Sequence, residues 1–225
     1  MITDYTKLNA FVKAKLKPSR YTHSLGVMEM ALDLASRFGI DEEKARISAI
    51  YHDAYRYEGD ESSIQLVEKC GYVVCPEERE NPMLLHGALA AVHFDEDTGS
   101  KIPDDMKIAV RHHTLGHVSM GRLGAVIYIA DYAEKGRKHI TDKERKKIMA
   151  KESLEDMIIY ILEKSRAHLV ETGKKEAGVT KELYDYLKEG GKLGGRFFFH
   201  CYLSFFFPHA QEKQRVLESG AKKGL

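Results

Sequence analysis

Apolar residues recur in steps of three and four along most of the chain up to Gly191, the period of helices that press one face against a core. Alternating strand patterns are almost absent there. Ser19 predicts the cap of a helix over Arg20 to Phe38, in which Val27, Ala31, Leu34 and Phe38 share a face before Gly39 stops it. Asp41 opens a second helix whose stripe runs through Ala45, Ala49, His52, Asp53 and Arg56. A third covers Ser62 to Cys70 and ends at Gly71, with Tyr72 to Glu80 reading as loop. Asn81-Pro82 supplies a cap and first turn for a helix carrying Leu85, His86, Leu89 and Ala90. After the polar stretch Asp95 to Pro103, helical spacing resumes with Met106, Ala109, Val110 and His113. Ser119 starts a helix with Leu123, Ile127, Ala130, Asp131 and Glu134 on one face. Ser153 with Asp156 opens another that reaches Glu171, and Thr180 caps the last. The expected fold is all-α.

The pattern changes after Gly190. KLGGRFFFHCYLSFFFPHAQEKQRV sets a dense aromatic run between glycines and a proline, so residues 1–191 read as one domain and 192–225 as an aromatic-rich extension. Phe197 to Phe207 is too short to span a bilayer as a helix, and packing against the domain or a second subunit is the expectation.

Length and charge narrow the function. A chain of 225 residues, 43% hydrophobic, can bury a substantial core. Lys+Arg of 35 against Asp+Glu of 34 leaves a formal charge of +1, so no general nucleic-acid-binding surface is expected and any anion site must be local. Cys70, Cys75 and Cys201 lack metal or redox spacing, which fits a reducing cytoplasm. The amino terminus has no signal-peptide-like apolar run and no segment has the length of a membrane span.

Against this background the polar residues set into apolar faces stand out: His23, His52-Asp53, His86, His113 and Asp131. Imidazole and carboxylate without thiolate suit iron, manganese or zinc. The two oxygens of Asp53 can bridge two metals, which together activate a hydroxide and neutralise a phosphoryl group. Arg20, Arg56 and Arg137 lie close in sequence to His23, Asp53 and Asp131, and Arg56, one turn after Asp53, can bind phosphate bidentately. A lone histidine is ordinarily a core or surface residue, and His93, His112, His117, His139, His168, His200 and His209 are read that way. His112 and His113 point about 100° apart on a helix, and the spacing from Ala109 and Val110 slightly favours His113. Asp131 as a cap, and Arg56 and Arg137 as solvated residues, remain the alternatives when each is judged alone, while Glu134 is a candidate base behind the metal ligands or equally a surface residue.

These residues resemble the HD-domain metal-dependent phosphohydrolases, through His23, His52-Asp53 and Asp131. They are still more similar to the YqeK family, the bacterial symmetrical diadenosine tetraphosphate hydrolases. The supporting segments are RYTHSLGV (20 to 27), AIYHDAYR (49 to 56), LLHGALAA (84 to 91), AVRHHTLGH (109 to 117) and YIADYAEKGR (128 to 137). The resemblance implies an all-α HD-domain helical bundle with a buried two-iron centre, a homodimer, and cleavage of diadenosine tetraphosphate into two ADP.

Carried over by the resemblance, the metal ligands are His23, His52, Asp53, His86, His113 and Asp131. His113 is preferred because the family pattern reads Tyr-His-Thr. Asp53 and Arg56 take the catalytic roles. Arg20, Arg56, Thr114 and Arg137 become phosphate or ribose contacts, with His86 also facing the substrate and Lys175 to Thr180 bordering the adenine. The chain departs from the family at Arg56, usually lysine, and at Lys135 and Val179, usually proline. The alternatives are another HD phosphohydrolase, acting on a nucleoside monophosphate, deoxynucleoside triphosphate or cyclic dinucleotide, and a non-catalytic nucleotide-sensing module.

Overall fold

Among residues 2–194, which the computed structural model describes, the chain forms eleven α-helices and one 3-10 turn, with no strand. The aromatic run from Phe197 to Phe207 lies outside the described residues. The helices are α1 (Tyr5–Lys15), α2 (Pro18–Phe38), α3 (Glu42–Tyr51), α4 (Glu61–Lys69), α5 (Pro76–Glu80), α6 (His86–Thr98), α7 (Asp104–Arg111), α8 (Gly121–Ala133), α9 (Asp142–Met149), α10 (Leu154–Glu171) and α11 (Gly178–Lys188), with the 3-10 turn at Pro82–Leu85.

Helix α8 is the axis of the core. Helices α2, α7 and α10 all pack on it, α3 lies against α2, α6 against α7, and α11 against α10. The single apolar face read from Leu123, Ile127 and Ala130 was therefore too narrow, because Ala125, Val126 and Ile129 are also fully buried. A helix surrounded by others is apolar all round.

Several boundaries differ from the expectation. Helix α2 begins at Pro18, with proline in its first turn and Ser19 already inside. Helix α4 starts at Glu61 behind Asp60, whose side chain accepts from Ser63 N in a capping box. Helix α8 starts at Gly121, while Ser119 N donates to His117 Nδ1 at 3.1 Å. Ser153 does cap α10, accepting from Asp156 N. Thr180 caps nothing: it lies inside the first turn of α11 and its hydroxyl donates to Leu115 O at 2.7 Å. The stretch read as loop after Gly71 contains α5.

Two further helices were not expected. Helix α1 buries only Leu8 and Val12, and α9 only Arg145 and Ile148, so neither has a long apolar stripe. Their caps were legible all the same: Asp4 accepts from Thr6 N and Lys7 N, and Thr141 with Glu144 makes a reciprocal capping box.

Candidate metal centre

Three of the four proposed histidine ligands sit at the ends of helical segments, where carbonyls lack an amide partner. Helix α3 stops at Tyr51, so His52 and Asp53 belong to the tight turns that follow and not to the helical stripe. His52 Nδ1 lies 2.6 Å from Ala49 O, His86 Nδ1 2.8 Å from Met83 O, and His113 Nδ1 2.7 Å from Val110 O. A carbonyl can only accept, so each Nδ1 carries a proton, and Nε2 is the nitrogen whose lone pair faces an ion when the ring is neutral. The shared three-residue spacing aims all three Nε2 atoms inward. His23, in the second turn of α2, has no such carbonyl; its Nδ1 meets Glu134 Oε1 at 3.1 Å.

Asp53 lies between two groups of these nitrogens. Its Oδ2 faces His52 Nε2 at 3.4 Å and His23 Nε2 at 3.8 Å, while Oδ1 faces His86 Nε2 at 3.2 Å and His113 Nε2 at 3.7 Å. Asp131 Oδ1 joins the first group, 2.9 Å from His23 Nε2 and 3.7 Å from His52 Nε2. His23, His52 and Asp131 offer ligand atoms within 4.8 Å of one another, as do His52, Asp53 and His113. His86 completes the second group, its Nε2 3.1 Å from His113 Nε2.

The donor set fits a pair of divalent ions. His52 Nε2 is buried with no hydrogen-bond partner. His86 Nε2 and His113 Nε2 face each other with both Nδ1 protons already engaged, and a cation satisfies two converging lone pairs that cannot satisfy one another. Thr114 Oγ1 stands 3.2 Å from each of them. Gly87 permits this approach of α6 to the end of α7: a Cβ there would lie 2.8 Å from Val110 O and 2.9 Å from Arg111 O.

Electrostatics point the same way. Burial opposes ionisation of Asp53, but His52, His113 and His86 hold its carboxyl well below the usual carboxylate range. Burial likewise opposes Asp131, which His23, His52 and Arg137 hold low. Burial would discharge His52, yet Asp53 and Asp131 raise its imidazole to about 10. His113, where burial dominates, drops to about 4. Two ionised carboxylates in a dry pocket thus draw positive charge to themselves.

Two of the arginines pair with the acidic residues of the cluster. Asp53 Oδ2 pairs at 2.9 Å with Arg20. Arg56 leans instead on His86, NH1 at 3.3 Å from Nδ1; both are donors, so no hydrogen bond engages that guanidinium there. Arg137 donates Nε to Asp131 O at 2.8 Å and pairs with the Asp131 carboxylate through NH2. Of the remaining candidates, Lys175 is exposed in the turn before α11, and the Thr180 hydroxyl is engaged by Leu115 O. His112 turns away from the centre and stacks on His117, ring centroids 4.6 Å apart.

Sequence reasoning placed Glu134 on the right stripe without finding its partner. The contact to His23 crosses from α2 to the end of α8, which no spacing reveals. A second unforeseen set braces the turn around His52: Tyr51 Oη donates to Asp97 Oδ2 at 2.6 Å and Tyr55 Oη to the same oxygen at 3.0 Å.

Comparison with known proteins agrees with this geometry. A family model described as HD domain matches residues 20–167. The symmetrical bis(5'-nucleosyl)-tetraphosphatase of Bacillus subtilis (strain 168) is 33% identical over 183 residues, 80% of this chain and 96% of that protein. The enzyme of the same name from Halalkalibacterium halodurans is 34% identical over 152 residues, 67% of this chain and 79% of that one. A Clostridium acetobutylicum crystal structure, described as a predicted HD superfamily hydrolase involved in NAD metabolism, superposes with a TM-score of 0.74 at 30% identity. It covers 84% of this chain and 100% of its own. With its histidines and aspartates gathered on an all-helical frame, the chain belongs to the HD-domain family, and within it to the YqeK-type group of symmetrical bis(5'-nucleosyl)-tetraphosphatases.

Proposed function

We propose that this chain is a metal-dependent hydrolase that cleaves diadenosine tetraphosphate symmetrically into two ADP. The observation that carries the reading is Asp53, which turns one carboxylate oxygen toward His23 and His52 and the other toward His86 and His113. A carboxylate so placed can serve two ions at once. Bound divalent ions, with iron favoured over manganese or zinc, supply Lewis-acid activation of water and neutralise phosphoryl charge.

The protein's own part is positioning. His23, His52, Asp53, His86, His113 and Asp131 hold the ions, and the fixed Nδ1 protons keep their rings from rotating away. Arg56 offers its guanidinium to a phosphate and stabilises charge on the departing ADP. Arg20 and Arg137, each tied to an acidic ligand, border the polyphosphate on the other side, and Thr114 adds a hydroxyl beside His86. Lys175 and Thr180 are assigned to the adenine side, where α11 meets the segment after His113. We further assign the chemistry to residues 1–191, a homodimeric assembly, and a cytoplasmic setting consistent with the free thiols Cys70 and Cys75. Among the described residues no helix is long and apolar enough to cross a membrane.

Metal analysis of the purified protein, coupled to chromatography of products from diadenosine tetraphosphate, tests the reading. ADP as the sole product, lost with the metal in Asp53→Ala, is expected. AMP with ATP, or inertness toward the dinucleotide while a nucleoside monophosphate is consumed, overturns it.

A further inference from the structure

Of the four inward-facing imidazoles, His23 alone is held from behind by an acid. His52, His86 and His113 give their Nδ1 protons to backbone carbonyls, whereas His23 Nδ1 meets Glu134 Oε1 at 3.1 Å. Both partners are nearly buried, with side-chain exposures of 9% for His23 and 5% for Glu134. The carboxylate is itself held in place: Gly136 N donates to Oε2, and α2 leaves room for that oxygen only because residue 26 is glycine, where a Cβ would lie 2.6 Å away. Arg145, reaching in from α9, donates to Ala133 O at 2.6 Å and Glu134 O at 3.1 Å and so secures the end of α8 that carries the acid.

We propose that Glu134 is a positioning residue that locks His23 into the tautomer presenting Nε2, and thereby holds the ion shared by His23, His52 and Asp131. Without it, Asp131 Oδ1, 2.9 Å from His23 Nε2, is the acid left to draw the proton, and it draws it to the nitrogen that must face the ion: helix α2 continues past His23, and its carbonyls are engaged within the helix. An ionised acceptor also makes the imidazole a stronger donor toward a cation. The effect is confined to one half of the centre, because His86 and His113 depend on Met83 O and Val110 O alone.

The inference rests on the two-ion reading, and the test separates their failures. Mn2+ titration gives stoichiometry and affinity, and long-range proton–nitrogen correlation of the metal-free protein reads the His23 tautomer. In Glu134→Ala, the His23 proton is expected to move to Nε2, facing Asp131, and one of two ions to bind about 10- to 100-fold more weakly while the other is unchanged. Glu134→Gln preserves the packing but can accept from only one of the two donors, His23 Nδ1–H or Gly136 N–H, and is expected to weaken the same ion less. His86→Ala should weaken the other ion with the His23 tautomer unmoved. If the unsubstituted protein binds no Mn2+, the functional reading fails together with this one. If it binds two ions and both Glu134 variants match it, or both ions weaken equally with His23 unchanged, this inference alone is overturned.

Discussion

His86 Nε2 stands 3.1 Å from His113 Nε2, and both rings have already given their Nδ1 protons to carbonyls. Without a cation the Thr114 hydroxyl, 3.2 Å from each Nε2, can donate to only one of their lone pairs and leaves the other unsatisfied inside the core. Chelation is therefore expected to destabilise the fold as well as stop turnover. An ion present at a hundred times its dissociation constant adds roughly 2.7 kcal/mol. For a chain of this size that corresponds to a melting temperature about 5 to 10 °C lower in chelator, recovered on adding metal. Thermal unfolding with and without chelator measures it; identical curves for metal-loaded and stripped protein would contradict a structural contribution.

Metal uptake should depend on pH through His52. Its folded pKa of about 10 lies above the ordinary 6.5, so the charged ring stabilises the metal-free protein fully below pH 6.5 and progressively less as pH rises through about 10. A metal needs the ring neutral. Asp53 and Asp131, both held low, are already ionised across this window and exchange no protons. Affinity for Mn2+ should thus rise about tenfold per pH unit between 7 and 9, with about one proton released. Calorimetry in buffers of different ionisation enthalpy counts that proton; an affinity flat over this window counts against the assignment.

Gly87→Ala tests the approach of α6 to α7. The added Cβ would meet the Val110 and Arg111 carbonyls at 2.8 and 2.9 Å, and backbone does not swing aside as a side chain would. A loss of about 1 to 3 kcal/mol is expected, with weaker binding of the ion shared by His86 and His113. Urea denaturation together with metal stoichiometry reads both effects.

Asp97→Ala and Tyr51→Phe should differ. Removing the acid leaves the Tyr51 hydroxyl buried without its acceptor, at a cost of roughly 1 to 3 kcal/mol. Removing the hydroxyl leaves Asp97 its bond to Tyr55 and costs about 1 kcal/mol. Equal losses in denaturant titration would show that the bridge does not brace the turn.

Arg56→Ala should reduce kcat on diadenosine tetraphosphate by about a hundredfold with metal content unchanged, because the guanidinium touches a ligand's far side and no metal-facing atom. A variant that loses metal would instead make Arg56 part of the frame.

The helical stripes carried most of this architecture in plain view. Val27, Ala31 and Leu34 on α2, and Ala109 and Val110 on α7, are buried as their spacing required. The grouping of His23, His52, Asp53, His86, His113 and Asp131 was legible as a series of polar residues set among apolar ones, although His52 and Asp53 lie in turns beyond the helical stripe. Helices α1 and α9 were missed because a short apolar stripe gives little periodic signal, though their caps marked them. The pairing of Asp53 with Arg20 was not readable: spacing ranks neighbours along one helix, and this contact joins α2 to the turn after α3. Gly26 and Gly87 act by lacking a side chain, which matters only once another helix lies across them.

Backbone carbonyls hold three of the four imidazoles, and a carbonyl is present whatever residue occupies the position. Ala49, Met83 and Val110 can each be exchanged for another helix-compatible residue of similar bulk without altering what His52, His86 or His113 presents. Mutational drift is therefore filtered by packing alone at the buried Ala49 and Val110, and scarcely at all at the exposed Met83. The centre's tolerance to sequence change should be uneven, broad behind three of its rings and narrow behind the fourth.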